Sequence, residues 1–515
     1  MRLSLKTALL VGSSLAGVNM YADSRRPNVI FILADDLGYG DISAFNENSK
    51  IQTRNIDALA RCGVAFTDAH SASALSTPSR YGILTGRYPW RSKLKQGVLN
   101  GFSPSMISQD TKTMAQMLSE NGYATACIGK WHLGWDWKRE PGSENRKDVD
   151  YEGEIHDGPT DKGFDYYFGI PASLDMAPYV FVENNKVLTV PDHTLEPDKG
   201  LHLLHGGPAG KGFEPEKCLP ELFRRAIEYV GGRKGKKEPF FLYMPVTAPH
   251  TPVLPAPEYK GKTPVGDYGD FVYMMDDLIG RLVSTLERNG QLDDTIIIFT
   301  SDNGCAPYVD VGGLERAGHY PSYIYRGYKS DIYEGGHRIP LVVSWKGHLK
   351  ERKDSSLVCL TDFYRTFAEM TGATVSDEEA VDSHSILPIL EDAGCSSRKD
   401  MIYESGDGYL SLRKGQYKLV FYGGSGGWGY PRKKEDLAKL PPLQFFDLDA
   451  DPHEDRNLVD DPEYSVMVAK MSGTVREYVR NGRSTPGVRV KNDTDTIWKQ
   501  IRIIFPDQSD LNEQP

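Results

Sequence analysis

Two short acidic stretches, Asp35-Asp36 and Asp302-Asn303, each follow a run of apolar residues. Carboxylate and amide oxygens without histidine or thiolate neighbours favour a hard cation, calcium or magnesium, over zinc. Taken alone, each stretch reads equally as an ordinary polar turn. A third stretch, Ser76-Thr-Pro-Ser-Arg80, sets a serine two residues before a proline, the arrangement of a helix N-terminus. Such a terminus offers free N–H groups to an anion, so capping and anion binding are compatible readings. Lys130, His132, His250 and Lys329 are spread along the chain, and singly each reads as a surface residue or a satisfied core residue.

Buried strands must carry the acidic tips. Asn28-Val-Ile-Phe-Ile-Leu-Ala and Thr295-Ile-Ile-Ile-Phe-Thr are continuous apolar runs, the pattern of strands covered on both faces. Phe240–Met244 and Leu341–Ser344 read the same way. Residues 113–121 predict a helix stopped at Gly122, and 271–289 a longer one with Val272, Met275, Ile279, Leu282, Val283 and Leu286 on one stripe. Alternating strands and helices predict an α/β sandwich around a mostly parallel sheet, with ligands gathered beyond the strands' carboxyl ends. After about residue 390 the pattern changes. Residues 409–421 predict a hairpin, 445–448 a short strand and 463–480 a helix. The expected organisation is a signal segment at 1–22, a large domain at 23–390 and a small α+β domain with an antiparallel sheet at 391–515. Gly423–Pro431 is expected to be a loop near a surface cleft.

The segment from Ser76 to Gly86 contains Ser76, Pro78, Ser79, Arg80, Thr85 and Gly86 in the spacing Ser-x-Pro-Ser-Arg, three residues, a variable position, Thr-Gly. It resembles the signature of the type I sulfatases, members of the alkaline phosphatase superfamily. Further matches occur in family order: residues 28–36, Gly129-Lys-Trp-His-Leu-Gly134, Pro249-His-Thr-Pro252, Thr300–Gly304 and Lys329 before Glu334-Gly-Gly336. The resemblance spans nearly the whole chain after residue 27. It implies an alkaline-phosphatase-like sandwich in which Ser76 is oxidised to formylglycine, whose hydrate attacks sulfur and then expels sulfate. It assigns one calcium ion, with magnesium as the alternative, to Asp35, Asp36, Asp302, Asn303 and the modified Ser76. Arg80 would brace the formylglycine, and Lys130 and Lys329 would neutralise sulfate oxygens. His132 would be the base for intermediate breakdown, and His250 the proton donor to the leaving oxygen. A serine at position 76 implies an anaerobic radical maturase as a partner in biogenesis.

The resemblance also implies an exo-acting carbohydrate sulfatase, with galactose or N-acetylgalactosamine 6-O-sulfate favoured over 4-O, 3-O or aryl sulfate. His319, Arg326, His337, Arg338, Trp428 and Arg432 are the candidate substrate contacts, from loops expected around the cleft. A phosphatase or phosphodiesterase using unmodified Ser76 is the rival enzyme, and a sulfated-glycan binder without turnover the rival of another class.

Arg2 and Lys6 precede a short apolar stretch and small residues up to Ala22, the pattern of a secretory signal. An exported protein, periplasmic or extracellular, without a membrane span is expected. The formal charge of −11 argues against a polyanion-coating surface, so no nucleic-acid partner is expected and an anionic ligand needs a local basic pocket. Six scattered cysteines lack zinc-site spacing and allow a disulfide or two, or buried free thiols.

Overall fold

Alternation along the strand Asn28–Asp35 separates two cores. Ile30, Ile32 and Ala34 face one, and Val29, Phe31 and Leu33 the other. The computed structural model describes residues 26–391, 394–494 and 497–506. The expected signal segment lies outside the described residues.

The strand belongs to a ten-stranded sheet. From edge to edge it runs Arg352–Asp354, Gly63–Phe66, Leu341–Ser344, Thr295–Ser301, Asn28–Asp35, Phe240–Pro249, Ala124–Lys130, Tyr166–Ile170, Val182–Glu183 and Lys186–Val187. The five strands from Thr295–Ser301 to Tyr166–Ile170 are parallel neighbours, and antiparallel pairs flank them on both sides. The expected α/β sandwich with a mostly parallel sheet is what the chain forms.

Helices cover both faces. Pro215–Gly232 and Gly266–Arg288 supply Leu222, Ala226, Val272, Met275 and Ile279 to the first core. Ser76–Thr85, Met114–Glu120 and Phe363–Thr371 supply Tyr81, Ile83, Leu118, Phe363 and Phe367 to the second. Full burial of each such side chain contributes roughly 1.5–3 kcal/mol. The expected helix at 113–121 is present as Met114–Glu120, with Thr113 capping Gln116 N and the Gln116 side chain answering at Thr113 N. The long helix starts at Gly266, five residues before the expected Phe271, because Tyr268 is buried with the stripe.

A four-stranded antiparallel sheet, Asp400–Glu404, Leu410–Lys414, Tyr417–Val420 and Gln444–Asp447, packs with the helix Ser465–Asn481. Its core is shared with Ala72, Tyr88, Trp90 and Tyr333, so it is welded to the segments around Ser76. All six cysteines are free, which settles the disulfide alternative for buried or half-buried thiols. No helix among the described residues is long and apolar enough to cross a membrane.

Glu404 sits on this weld. Its N–H donates to Ala72 O and its carbonyl accepts from Ala74 N. Burial pushes its carboxyl up to about 8, against the lowering field of Lys95, and Oε2 has no partner. Because the folded pKa lies above the unfolded one, the folded state retains a proton that the unfolded chain releases. Stability is therefore full below about pH 4.5 and falls as pH rises towards 8, by on the order of 4 kcal/mol in total. Glu404→Gln removes this slope. Denaturant midpoints of the two proteins should part above about pH 5, with the variant the more stable at pH 9; parallel pH profiles would contradict the assignment.

Candidate functional site

Parallel pairing brings the acidic tips level. Ala34 lies opposite Ser301, so the chain turns into Asp35-Asp36 and Asp302-Asn303 at the same end of the sheet. Asp36 adopts a left-handed backbone with φ of 64°. The turn is held by Asp36 N donating to Asp302 Oδ1 at 3.1 Å, Asn303 Nδ2 to Asp36 Oδ1 at 2.8 Å and Leu37 N to Ser301 Oγ at 3.0 Å. A Cβ on Gly304 would lie 1.9 Å from Gly335 O, so glycine is required where this turn packs against the Glu334-Gly335-Gly336 segment.

Ser76 opens the buried helix Ser76–Thr85, with Pro78 in its first turn and Gly86 closing it at φ of 63°. Its Oγ lies 3.3 Å from Asp35 Oδ1 and 3.4 Å from Asn303 Oδ1. Three carboxylates, one amide oxygen and one hydroxyl thus converge in an entirely oxygen donor set, which suits a hard cation. Asp35, Asp36 and His250 also bring ligand atoms within 4.8 Å of one another. The other such cluster among the described residues, His70, Glu334 and His337, is filled by Lys418, whose Nζ lies 3.1 Å from Glu334 Oε1 and 3.2 Å from His337 Nε2.

Cations surround the carboxylates. Arg80 donates through Nε and Nη2 to Asp302 Oδ2 at 3.1 and 2.7 Å, and through Nη1 to Lys130 O at 3.2 Å. Lys130 Nζ donates to Asp35 Oδ2 at 2.7 Å and Lys329 Nζ to Asp36 Oδ2 at 2.7 Å. Burial opposes ionisation of Asp35, but Lys130, His250 and Arg80 outweigh it and hold the carboxyl below its usual range. Burial depresses Lys130 despite Asp35; for Lys329, burial is overcome by Asp36 and Tyr308 and the ammonium is stabilised.

The two histidines are oriented by carbonyls. His132, at φ of 57°, places Nε2 at 2.8 Å from Leu99 O, so Nε2 carries the hydrogen and Nδ1 a lone pair without a partner. Burial, Lys130 and Arg80 push its pKa well down, keeping the ring neutral. His250 donates from Nδ1 to Thr251 O at 2.6 Å, which leaves Nε2 at 3.2 Å from Ser173 Oγ and 3.5 Å from Asp36 Oδ2.

Ser76, Arg80, Lys130, His132, His250, Lys329, Asp35, Asp36, Asp302 and Asn303 therefore surround one centre. Of the expected substrate contacts, Trp428 stands beside it, with Lys329 Nζ 5.8 Å from its ring. Four others are bonded to protein groups instead. His319 is buried with Nε2 on Asp41 Oδ1 at 2.8 Å and Lys50 N donating to Nδ1 at 3.3 Å, so both ring nitrogens are used. His337 is enclosed between His70 and Lys418. Arg338 is spent on Asp68, Glu334 and Thr67 O, and Arg326 on Glu454 O and the Tyr333 ring. Arg432 is exposed and lowers the pKa of Asp407, which burial raises.

Residues absent from the sequence reading complete the wall. Ser173 Oγ accepts from Lys130 Nζ at 3.2 Å. Asp175 is buried with Oδ2 3.2 Å from His205 Nε2 and Oδ1 without a partner. Its carboxyl is raised by burial but lowered more by His205, His250 and Lys130, and so stays ionised. Tyr308 accepts from Lys329 Nζ at 3.2 Å and donates to Asp36 Oδ2 at 3.4 Å. Ser173 and Asp175 follow the parallel strand Tyr166–Ile170 at its carboxyl end, the position rule that had located the acidic tips.

The chain is similar to known proteins over most of its length. The family described as Sulfatase matches residues 27–373, and that described as N-sulphoglucosamine sulphohydrolase, C-terminal, matches 327–481. The chain is 36% identical over 475 residues to an N-acetylgalactosamine-6-O-sulfatase of Bacteroides thetaiotaomicron, covering 85% of this chain and 90% of that protein. It is 31% identical to human arylsulfatase A, covering 88% and 86%. A solved structure from Bacteroides thetaiotaomicron, described under the metabolism of multiple glycosaminoglycans, superimposes with a TM-score of 0.78 at 34% identity, over 88% of this chain and 99% of that one.

Proposed function

The chain belongs to the sulfatase family and is a sulfuric ester hydrolase, and from that premise we propose that it removes a 6-O-sulfate from a terminal galactose or N-acetylgalactosamine. The observation that carries the reading is the likeness, over most of both chains, to an enzyme named for that sulfate ester. The buried, ionised Asp175 carboxylate supports a hydroxyl-bearing substrate, since it can accept a sugar hydroxyl beside the centre. Incubation with defined sulfated monosaccharides, resolved by chromatography, tests the linkage. Desulfation confined to aryl or 4-O-sulfated substrates would overturn it.

Asp35, Asp36, Asp302, Asn303 and residue 76 are the proposed holders of a calcium ion, which would polarise the sulfate when bound. In chelator-treated protein, Asp302→Asn should weaken calcium binding by roughly tenfold or more in titration calorimetry. Undiminished binding would remove Asp302 from the ligand set. Residue 76 is proposed to act as formylglycine, which supplies a hydrated aldehyde as nucleophile. Arg80 fixes the Asp302 carboxylate and the helix start, and Lys130 and Lys329 offer ammonium groups to the sulfate oxygens. His132 Nδ1 is the proposed base and His250 Nε2 the proposed acid. Oxidation of Ser76 is assigned to an anaerobic radical maturase before or during export, directed by residues 1–22 to the periplasm or beyond.

A further inference from the structure

Trp428 rises 40% exposed from a loop whose backbone is buried from Gly423 to Gly427. An exposed indole forfeits burial that would otherwise stabilise the fold. The loop is nonetheless built to hold it in place. Ser425 N donates to Pro431 O at 2.9 Å, Ser425 Oγ to Gly429 O at 2.8 Å and Gly429 N to Asp331 Oδ1 at 2.7 Å. Both neighbours of Trp428 are glycines for a steric reason. A Cβ on Gly427 would lie 2.3 Å from Ser330 O, and one on Gly429 2.3 Å from Asp331 Oδ2. The loop therefore presses against the segment that carries Lys329, and the indole is fixed relative to that ammonium.

Tyr308 completes the surface. Its ring centroid is 5.9 Å from that of Trp428 at 48°, and 6.4 Å from that of His250. The Tyr308 hydroxyl is tied to Lys329 and Asp36, so the pair forms a firm aromatic wall beside the proposed leaving-group acid.

We propose that Trp428 and Tyr308 form a stacking platform that selects a galacto-configured pyranose by its apolar face. The inference rests on the reading of a sugar 6-O-sulfate as substrate. In a galacto ring the axial O4 leaves the hydrogens on C3, C4 and C5 as one continuous apolar patch. Those weakly positive C–H edges meet the negative face of an aromatic ring. In a gluco ring the equatorial O4 breaks the patch. A sulfate on the exocyclic C6 lets the ring rest on the platform while the ester reaches residue 76.

The test compares kcat/KM for galactose 6-sulfate and glucose 6-sulfate in matured wild-type protein, W428A and W428F. W428A should lose about tenfold or more on the galacto substrate, and its galacto-to-gluco ratio should fall towards one. W428F, which keeps a π face, should recover most of both. If W428A fails to fold by circular dichroism, W428L serves as the non-aromatic variant. An unchanged ratio in the folded non-aromatic variant overturns the platform alone. A wild type that desulfates no sugar overturns the proposed function, and the platform with it.

Discussion

Protein made in a host without an oxidising maturase should carry unmodified serine at position 76 and hydrolyse sulfate esters roughly 10⁴-fold or more slowly than matured protein. Ser76 lacks the environment that activates a serine. Its Oγ faces two acceptor oxygens, Asp35 Oδ1 and Asn303 Oδ1, while both histidines of the site bond elsewhere. His132 is tied to Leu99 O, and His250 to Thr251 O and Ser173. The one adjacent base, Asp35, is held below the usual carboxylate range and so accepts a proton poorly, and a sulfated serine would be as hard to hydrolyse as the substrate. Mass spectrometry of the peptide containing residue 76, alongside turnover, checks the expectation, because formylglycine is lighter than serine by two hydrogens. Ser76→Ala should be as inactive as the unmodified protein in either host. Full turnover by protein with intact serine would sink the formylglycine assignment and revive a direct serine mechanism.

The candidate site was legible because its acidic residues follow strands whose sequence is hard to misread. A parallel strand covered on both faces must be apolar at every position, as in Val29–Ala34, so the first polar residues after it mark the ligand end of the sheet. Ser173 and Asp175 occupy the equivalent place after Tyr166–Ile170, but that strand is short and two of its five residues are tyrosines, so the signal was weak. The inward bonding of His319 and His337 was not legible, for another reason. Whether a loop histidine faces a ligand or the interior depends on partners far away in sequence. His319 bonds Asp41 and His337 bonds His70, in each case more than 260 residues away. No local pattern encodes such pairings. Trp428 differs because glycines flank it, a local sign of a backbone pressed close to something else.

His250→Ala should slow desulfation of a sugar by roughly 10³-fold while costing nitrophenyl sulfate only about tenfold. The difference arises from the leaving oxygen. A sugar alkoxide is a strong base that must be protonated as the bond to sulfur breaks, whereas nitrophenolate leaves without a proton. In the proposed role His250 makes that donation. Its Nδ1–H is committed to Thr251 O at 2.6 Å, so the proposed proton is delivered from Nε2, which lies 3.5 Å from Asp36 Oδ2. Ser173 Oγ, 3.2 Å from the same nitrogen, links it to Lys130. His250→Gln should behave like the alanine variant, since an amide can hold the position without donating a transferable proton. His132→Ala should instead slow both substrates alike, because an unprotonated Nδ1 acts after the leaving group has gone. Kinetics of the three variants on the two substrates separate the roles: equal losses on sugar and aryl sulfates in His250→Ala would move His250 from acid to mere positioning.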